Sequence, residues 1–204
     1  VFTQRSVLGF FIRKYISIYA DMLNPDGLDS FMNNIDLIKP YSKKFYFIHN
    51  LAPHPPFPNK DCEIDYTKNV GTWIDTDAYS QSVKCALKKT LVTIDKILLI
   101  DPNAIVVIQG DHGPGINYKF DIHPHLNSKE ALLERFSIHN SIRIPRKCST
   151  NDLDKIGNIE TVNLVFNCIS NVEEVGFKNR SFAGSYEANK ETFGSLIEVT
   201  SLLK

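Results

Sequence analysis

The sequence lacks an excess of either charge. Its 204 residues include 23 Lys and Arg against 23 Asp and Glu, so the formal net charge is zero. A general nucleic-acid binder needs a basic excess, because its affinity comes from releasing the counterions of the phosphate backbone. The even balance therefore argues against nucleic acid as a partner, although it does not exclude a local basic patch.

Long apolar runs are also missing. A membrane-spanning helix needs about 20 consecutive apolar residues, and the longest candidate, residues 7–22, is interrupted by Arg13, Lys14 and Asp21. The composition, 43% hydrophobic and 23% charged, is typical of a folded chain of one-domain length. No secretory signal is visible and the chain begins with Val1, which predicts a processed product or a fragment of a longer protein.

Cysteine is scarce, and no C-x-x-C pair supports a zinc knuckle or a thioredoxin-type site. The four cysteines are Cys62, Cys85, Cys148 and Cys168, and they allow three pairings. Sequential pairing would join each loop to its neighbouring helix and would indicate an oxidising compartment. The alternative is four unrelated buried thiols, which is the preferred interpretation for an intracellular protein.

What the sequence does contain is an alternation of helical and strand patterns. Helices are predicted at residues 6–22, 28–38, 77–100 and 161–169, and strands at residues 45–51, 104–108, 137–144 and 195–199. Thr76 or Asp77 is the predicted cap of the longest helix. Strand, long helix and strand between residues 45 and 108 form the crossover unit of a parallel sheet. Residues 52–75 are predicted to be a long loop, and loops of that length are often functional.

Two loops that follow predicted strands carry histidines. His54 lies in the proline-rich segment after the first strand, and Asp111 and His112 follow the strand at residues 104–108. Ligands of open α/β sheets bind beyond the carboxyl ends of the strands, so parallel strands would bring His54 opposite Asp111 and His112 in one crevice. A carboxylate oxygen and a neutral imidazole nitrogen suit zinc or manganese.

The Asp-His pair is surrounded by Gly110, Gly113 and Gly115, which let the backbone turn tightly and approach a ligand. The bare D-H-G motif is short, however, and describes an ordinary turn at least as well as a metal site.

The other histidines each allow two interpretations. Prolines on both sides of His54 stiffen its loop, so its side chain could donate a hydrogen bond to an anionic substrate or protonate a leaving group. The alternative is a rigid turn with an incidental histidine. His123 and His125 could be accessory metal ligands, but their polar loop favours a solvent-facing pair.

Four segments in order carry a family resemblance: FYFIHNLAPHPPF, AIVVIQGDHGPG, ERFSIHNSIRIP and TVNLVFNC. Together they resemble the sulfatase-like branch of the alkaline phosphatase superfamily over residues 45–168. They are most similar to the C-terminal half of bacterial membrane-anchored sulfatase-like hydrolases and transferases, such as lipoteichoic acid synthases and phosphoethanolamine transferases. The resemblance implies an α/β three-layer sandwich with a mainly parallel central sheet, of which residues 1–204 would be the C-terminal part.

The resemblance also implies a chemistry. Asp111 and His112 fall on the family's metal-ligand pair and His54 on its substrate-binding histidine. The metal would be zinc or manganese, with calcium or magnesium as further candidates. The reaction would be hydrolysis or transfer of a phosphate or sulfate ester, with a lipid or glycan of the cell envelope as the expected substrate.

Two further expectations concern disulfides and location. Cysteines near these positions occur in some such sequences, which favours the pairs Cys62–Cys85 and Cys148–Cys168. The family's catalytic domain lies in the periplasm or on the outer face of the cytoplasmic membrane, so a membrane anchor is expected in a preceding segment.

The sequence departs from the family at the nucleophile. The family's Thr, Ser or modified Cys precedes this region, no C-x-P-x-R signature occurs, and neither Thr3 nor Ser6 has an acidic metal ligand beside it. The expected nucleophile is therefore absent from this chain. The alternatives are a catalytically incomplete module with a binding or structural role, and an unrelated α/β domain with accidental matches.

Overall fold

The structure is a computed structural model that describes residues 27–37, 44–64, 74–148, 156–170, 180–185 and 194–204. The chain divides into two compact units, Val1–Pro102 and Asn103–Lys204, and each is described by itself. The predicted helix at residues 6–22 lies outside the described residues. The assignment of residues 1–204 to one catalytic domain stays a prediction.

The first unit is built around one long helix. A short helix α1 spans Gly27–Asn33, a 3-10 turn follows at Ile35–Leu37, and α2 spans Thr76–Ile100. The Asp75 side chain accepts a hydrogen bond of 2.9 Å from the backbone N–H of Ala78, so the cap lies one or two residues earlier than predicted. Such a cap satisfies one of the N–H groups that the first turn of a helix leaves unpaired.

The predicted buried strand at residues 45–51 is wrong. These residues form no helix or strand, and the side chains of Phe45 and Phe47 are 88% and 79% exposed. An apolar, aromatic run favours burial and extended backbone, but a strand also needs a neighbour to complete its hydrogen bonds. No strand among the described residues pairs with this segment.

The second unit contains all four strands that occur among the described residues. Its elements in order are β1 at Val106–Gln109, α3 at Lys129–Phe136, β2 at Asn140–Arg143, α4 at Asn158–Ser170, β3 at Phe182–Gly184 and β4 at Leu196–Glu198. Strand β1 pairs with β2 and β3 pairs with β4, both antiparallel. Short 3-10 turns lie at Pro124–Leu126, Arg146–Cys148 and Thr200–Leu203.

The expected three-layer sandwich with a mainly parallel sheet is contradicted, because the described residues contain only two small antiparallel sheets of two strands each. The β-branched run that forms β1 sets an extended backbone but does not determine the direction of its partner. Burial alternates along β1, and Val107 is 40% exposed. One covered face is the pattern of an antiparallel pair, whereas a central parallel strand is covered on both faces.

Helix α3 packs against the core of the second unit. Leu132 of α3 is buried with Tyr118, Ala183 and Val199, and full burial of a leucine side chain contributes about 2 kcal/mol. The Ser128 hydroxyl caps the helix by accepting a hydrogen bond from the backbone N–H of Ala131. The helix is therefore a fixed support for the residues at its C-terminal end.

Both predicted disulfides are confirmed. Cys62 and Cys85 are bonded with 5.4 Å between their Cα atoms, and Cys148 and Cys168 with 5.1 Å, ordinary separations for disulfides. The first joins the loop after residue 51 to α2, and the second joins the turn Arg146–Cys148 to α4. Two disulfides indicate an oxidising, extracytoplasmic environment. Within the described part of the chain, no helix has the length and apolar character needed to cross a membrane.

Candidate functional site

Asp111 and His112 lie side by side immediately beyond β1. The strand pairing ends where the backbone N–H of Gly110 donates to the carbonyl of His139 at 2.9 Å. Asp111 Oδ1 then accepts a 3.0 Å hydrogen bond from the backbone N–H of His112. The other oxygen, Oδ2, is 3.5 Å from His112 Nε2, and the Asp111 and His112 side chains are 86% and 47% exposed. A carboxylate oxygen and an imidazole nitrogen are thus presented together at the surface.

The distance between the two donor atoms of this pair is that of two neighbouring metal ligands. Two ligands of a tetrahedral zinc site are about 3.4 Å apart at ordinary bond lengths, close to the 3.5 Å between Asp111 Oδ2 and His112 Nε2. A protein site normally supplies at least three ligands. No group of three or more His, Cys, Asp and Glu side chains suited to a metal occurs among the residues that the structure describes. The described residues therefore bring two donors together here, fewer than a protein metal site normally has.

Glu134 of α3 holds the loop that follows the pair. Its Oε1 accepts hydrogen bonds from the backbone N–H groups of Ile116, at 2.6 Å, and Asn117, at 3.2 Å. Its Oε2 accepts a third, at 2.6 Å, from Asn117 Nδ2. Hydrogen bonds to a carboxylate are stronger than those between neutral groups. One side chain at the end of α3 therefore sets the path of the loop.

The neighbouring Arg135 contacts the candidate ligand itself. Its Nη1 is 2.7 Å from His112 Nδ1 and donates to the carbonyl of Gly113 at 3.0 Å. The Arg135 carbonyl accepts a 2.8 Å hydrogen bond from the backbone N–H of Gly113, and its guanidinium carbon lies 5.2 Å from the centre of the Phe120 ring. The end of α3 thus positions the His112 ring from both backbone and side chain.

The sequence did not indicate roles for Glu134 and Arg135. Both belong to the segment ERFSIHNSIRIP, but two charged residues at the end of a helix are ordinary. Their partners lie 17 to 23 residues earlier in the chain, so no local spacing relates them. The one available signal was that the charged pair Glu134 and Arg135 follows the glycine-rich loop by about 20 residues.

Position 113 has no room for a side chain. A Cβ atom at Gly113 would lie 2.0 Å from the carbonyl oxygen of Glu134 and 2.9 Å from that of Ser137. At Gly110 the nearest atom would be 3.7 Å away, which is ordinary contact. At Gly115 it would meet the Phe120 ring at 3.0 Å. Of the three glycines around the pair, Gly113 is the one at which the backbone of α3 comes closest.

His54 lies in the first unit, in the proline-rich segment between α1 and α2. Its backbone N–H donates to the carbonyl of Leu51 at 2.8 Å, and its Nδ1 is 2.9 Å from the carbonyl oxygen of Pro55. Three residues on, Phe57 is only 3% exposed and contacts the Tyr79 ring edge to face, with 6.5 Å between ring centres. The loop is thus fastened to α2 close to the exposed histidine.

The prediction that His54 lies opposite Asp111 and His112 assumed parallel strands. The parallel strands are contradicted, because both strand pairs among the described residues are antiparallel. His54 belongs to one unit and Asp111 and His112 to the other. The role of His54 in binding substrate stays a prediction.

His123 and His125 lie on either side of Pro124, at and within a 3-10 turn. The His123 Nδ1 atom accepts a 3.3 Å hydrogen bond from the backbone N–H of His125, and His125 Nε2 is 3.0 Å from the carbonyl oxygen of Glu198 in β4. The two rings are nearly perpendicular, with centres 5.1 Å apart. These contacts tie the turn to β4, while an accessory role of the two histidines at a metal stays a prediction.

No family model, no curated protein and no solved structure matches this chain. The resemblance to sulfatase-like proteins therefore remains an expectation from the sequence.

Proposed function

We propose that Asp111 and His112 are two ligands of a divalent metal in a protein that hydrolyses or transfers phosphate or sulfate esters. The observation that carries this proposal is the 3.5 Å approach of a carboxylate oxygen and an imidazole nitrogen at the surface. The four sequence segments that resemble the sulfatase-like branch support the reaction class. Zinc or manganese suits the mixed oxygen and nitrogen donors best, and calcium or magnesium suits them less well.

Each residue has a distinct task in this proposal. Asp111 supplies a negatively charged oxygen, and His112 supplies the neutral nitrogen Nε2, while contacts at its Nδ1 orient the ring. A carbonyl such as that of Gly113, 2.9 Å from His112 Nδ1, is the usual partner of a metal-binding imidazole. A divalent cation held there would supply positive charge that stabilises the negative charge on the ester oxygens during reaction. The exposure of both side chains leaves room for a substrate.

His54 has a proposed role in binding the ester. As a hydrogen-bond donor it would contact the anionic oxygens, and in its protonated form it would assist the leaving group. The attacking Ser, Thr or modified Cys expected from the resemblance is not assigned to any residue of this chain. We infer that the substrate is a lipid or glycan ester of the cell envelope, with the protein in the periplasm or on the outer face of the cytoplasmic membrane. The two disulfides support the extracytoplasmic part of this inference.

A second candidate function is a catalytically incomplete module with a binding or structural role. It is favoured by the donor count, since the described residues bring no group of three metal-binding side chains together.

Metal binding is tested by calorimetric titration of the 204-residue chain with Zn²⁺ and with Mn²⁺. Asp111→Ala and His112→Ala should each weaken the affinity by more than about tenfold, since even partners of a ligand cost that much when removed. His139→Ala is the matched control, because His139 is exposed and its Nε2 contacts the Ser141 hydroxyl at 3.0 Å. Equal affinities in all three variants and the parent chain would rule out the proposed metal pair.

Turnover separates the two candidate functions. The metal-loaded chain is incubated with p-nitrophenyl phosphate and p-nitrophenyl sulfate, and release of nitrophenol is measured. Release that disappears in Asp111→Ala supports the enzyme. Metal binding through Asp111 and His112 without any release supports the incomplete module for these 204 residues, to which no nucleophile is assigned.

A further inference from the structure

His112 Nδ1 lies between two groups that make opposite demands on it. Arg135 Nη1, at 2.7 Å, can only donate a hydrogen bond, and the carbonyl oxygen of Gly113, at 2.9 Å, can only accept one. A neutral imidazole has a proton on one ring nitrogen and a lone pair on the other. Nδ1 therefore satisfies either Arg135 or Gly113, and the choice determines which nitrogen carries the proton.

The two tautomers differ in what they present to Asp111. When Nδ1 accepts from Arg135, the proton is on Nε2, the nitrogen that lies 3.5 Å from the Asp111 carboxylate oxygen. When Nδ1 donates to Gly113, Nε2 keeps its lone pair. A cation beside Asp111 needs that lone pair, so only the second tautomer can bind it through Nε2.

We propose that Arg135 is a positioning residue that holds His112 in the tautomer with the proton on Nε2 and thereby opposes cation binding beside Asp111. The guanidinium is always charged, and a charged donor makes the stronger hydrogen bond. The Gly113 carbonyl already accepts from Arg135 Nη1 at 3.0 Å, so it does not depend on His112 for a partner. The tautomer follows from these contacts alone, and only its consequence for the metal rests on the proposed function.

Arg135 itself is held in place by several contacts. Its carbonyl accepts the Gly113 N–H at 2.8 Å, and its guanidinium lies over the Phe120 ring. A side chain fixed in this way loses less entropy when it forms a hydrogen bond than a mobile one does. Both the backbone and the guanidinium of Arg135 are therefore held where the side chain can contact His112.

The tautomer is measured by long-range proton–nitrogen NMR of the chain labelled with ¹⁵N-histidine, at a pH where imidazole is neutral. His112→Gln identifies the His112 signals among the six histidines. In the parent chain we expect the signature of a proton on Nε2. Arg135→Met removes the donor and keeps an unbranched apolar side chain over Phe120. It should raise the ratio of Nδ1–H to Nε2–H by about fivefold, the size of one net hydrogen bond.

Arg180→Met is the matched control, because Arg180 contacts Glu198 and the Phe182 ring and should leave His112 unchanged. A proton on Nδ1 in the parent chain would overturn the proposal without any variant, so it stays testable even if Arg135→Met does not fold. An unchanged ratio in folded Arg135→Met would also overturn it.

Zn²⁺ titration of the same variants separates this inference from the proposed function. If both hold, Arg135→Met binds Zn²⁺ more tightly than the parent chain by a factor similar to the tautomer shift. A tautomer shift with no His112-dependent Zn²⁺ binding would refute the metal pair and leave the role of Arg135 supported. His112-dependent binding of Zn²⁺ with no tautomer shift would refute the role of Arg135 alone.

Discussion

The two histidine-bearing loops of this protein are held in place by different means. The loop around His54 is stiffened by prolines and is fastened to α2 by the buried Phe57 and by the disulfide of Cys62 with Cys85. The loop around His112 is held by Glu134 and Arg135, at the end of a helix that follows later in the chain. The first loop is therefore fixed by a covalent bond and an aromatic contact to α2, whereas the second is fixed by hydrogen bonds to the end of α3.

The largest expected effect would test the apolar anchor of the His54 loop, Phe57. Phe57→Ala should lower the free energy of unfolding by about 4 kcal/mol, because it removes a buried aromatic ring and leaves a cavity. Urea unfolding followed by circular dichroism measures the change. Phe47→Ala is the control, since Phe47 is 79% exposed and its replacement should change stability by less than about 0.5 kcal/mol. Equal losses in the two variants would show that Phe57 does not anchor the loop.

The next effect concerns the closest approach between the His112 loop and α3. Gly113→Ala should destabilise the chain by about 2–3 kcal/mol, because the new Cβ would overlap the carbonyl oxygen of Glu134. Gly110→Ala, where the nearest atom is 3.7 Å away, should be neutral or slightly stabilising, since alanine restricts the unfolded chain. Thermal unfolding of both variants provides the measurement. A tolerated Gly113→Ala would mean that α3 does not pack against this loop as described.

A smaller effect is expected from the side chain that sets the path of the His112 loop. Glu134→Ala removes three hydrogen bonds to Ile116 and Asn117 and should cost about 2 kcal/mol, as their donors are partly exposed and can turn to water. Glu134→Gln keeps one acceptor oxygen and should lose about half as much. Chemical denaturation gives the stability, and the Asn117 side-chain amide signal in NMR reports the loop directly. An unchanged Asn117 signal in Glu134→Ala would contradict the proposed support.

The smallest effect is a pH dependence at the start of α3. Hydrogen bonds from its own backbone N–H and then from the Ser128 hydroxyl lower the pKa of Glu130 below 4.5. A carboxyl whose pKa is lower in the folded state stabilises the fold above its unfolded pKa, and that contribution is lost as pH falls through the folded pKa. Compared with Glu130→Gln, the parent chain should therefore melt slightly higher at neutral pH. The difference should vanish well below pH 4.5, and a difference that persists in acid would contradict this origin.

Sequence patterns located most of the described helices and strands but not the direction in which the strands pair. The pattern at residues 77–100 predicted α2 almost to its observed bounds, Thr76–Ile100, because a long helix repeats its apolar positions many times. The predicted helix at residues 161–169 is α4, Asn158–Ser170. Strands were located at β1, β2 and β4, whereas α3, β3 and the antiparallel pairing were not predicted. Short elements give few repeats of any pattern, so their positions depend on packing rather than on periodicity.

The sequence by itself determined what depends on neighbours along the chain. Asp111 and His112 are adjacent residues, so their contact follows from one turn of backbone. The cysteine spacing allowed the observed disulfides, and the family resemblance of the sequence favoured them. Only the tertiary structure decided the antiparallel direction of β1 and β2 and the exposure of residues 45–51. It also decided the contacts of Glu134 and Arg135, because burial of Leu132 brings the end of α3 to a loop that lies 17 to 23 residues earlier.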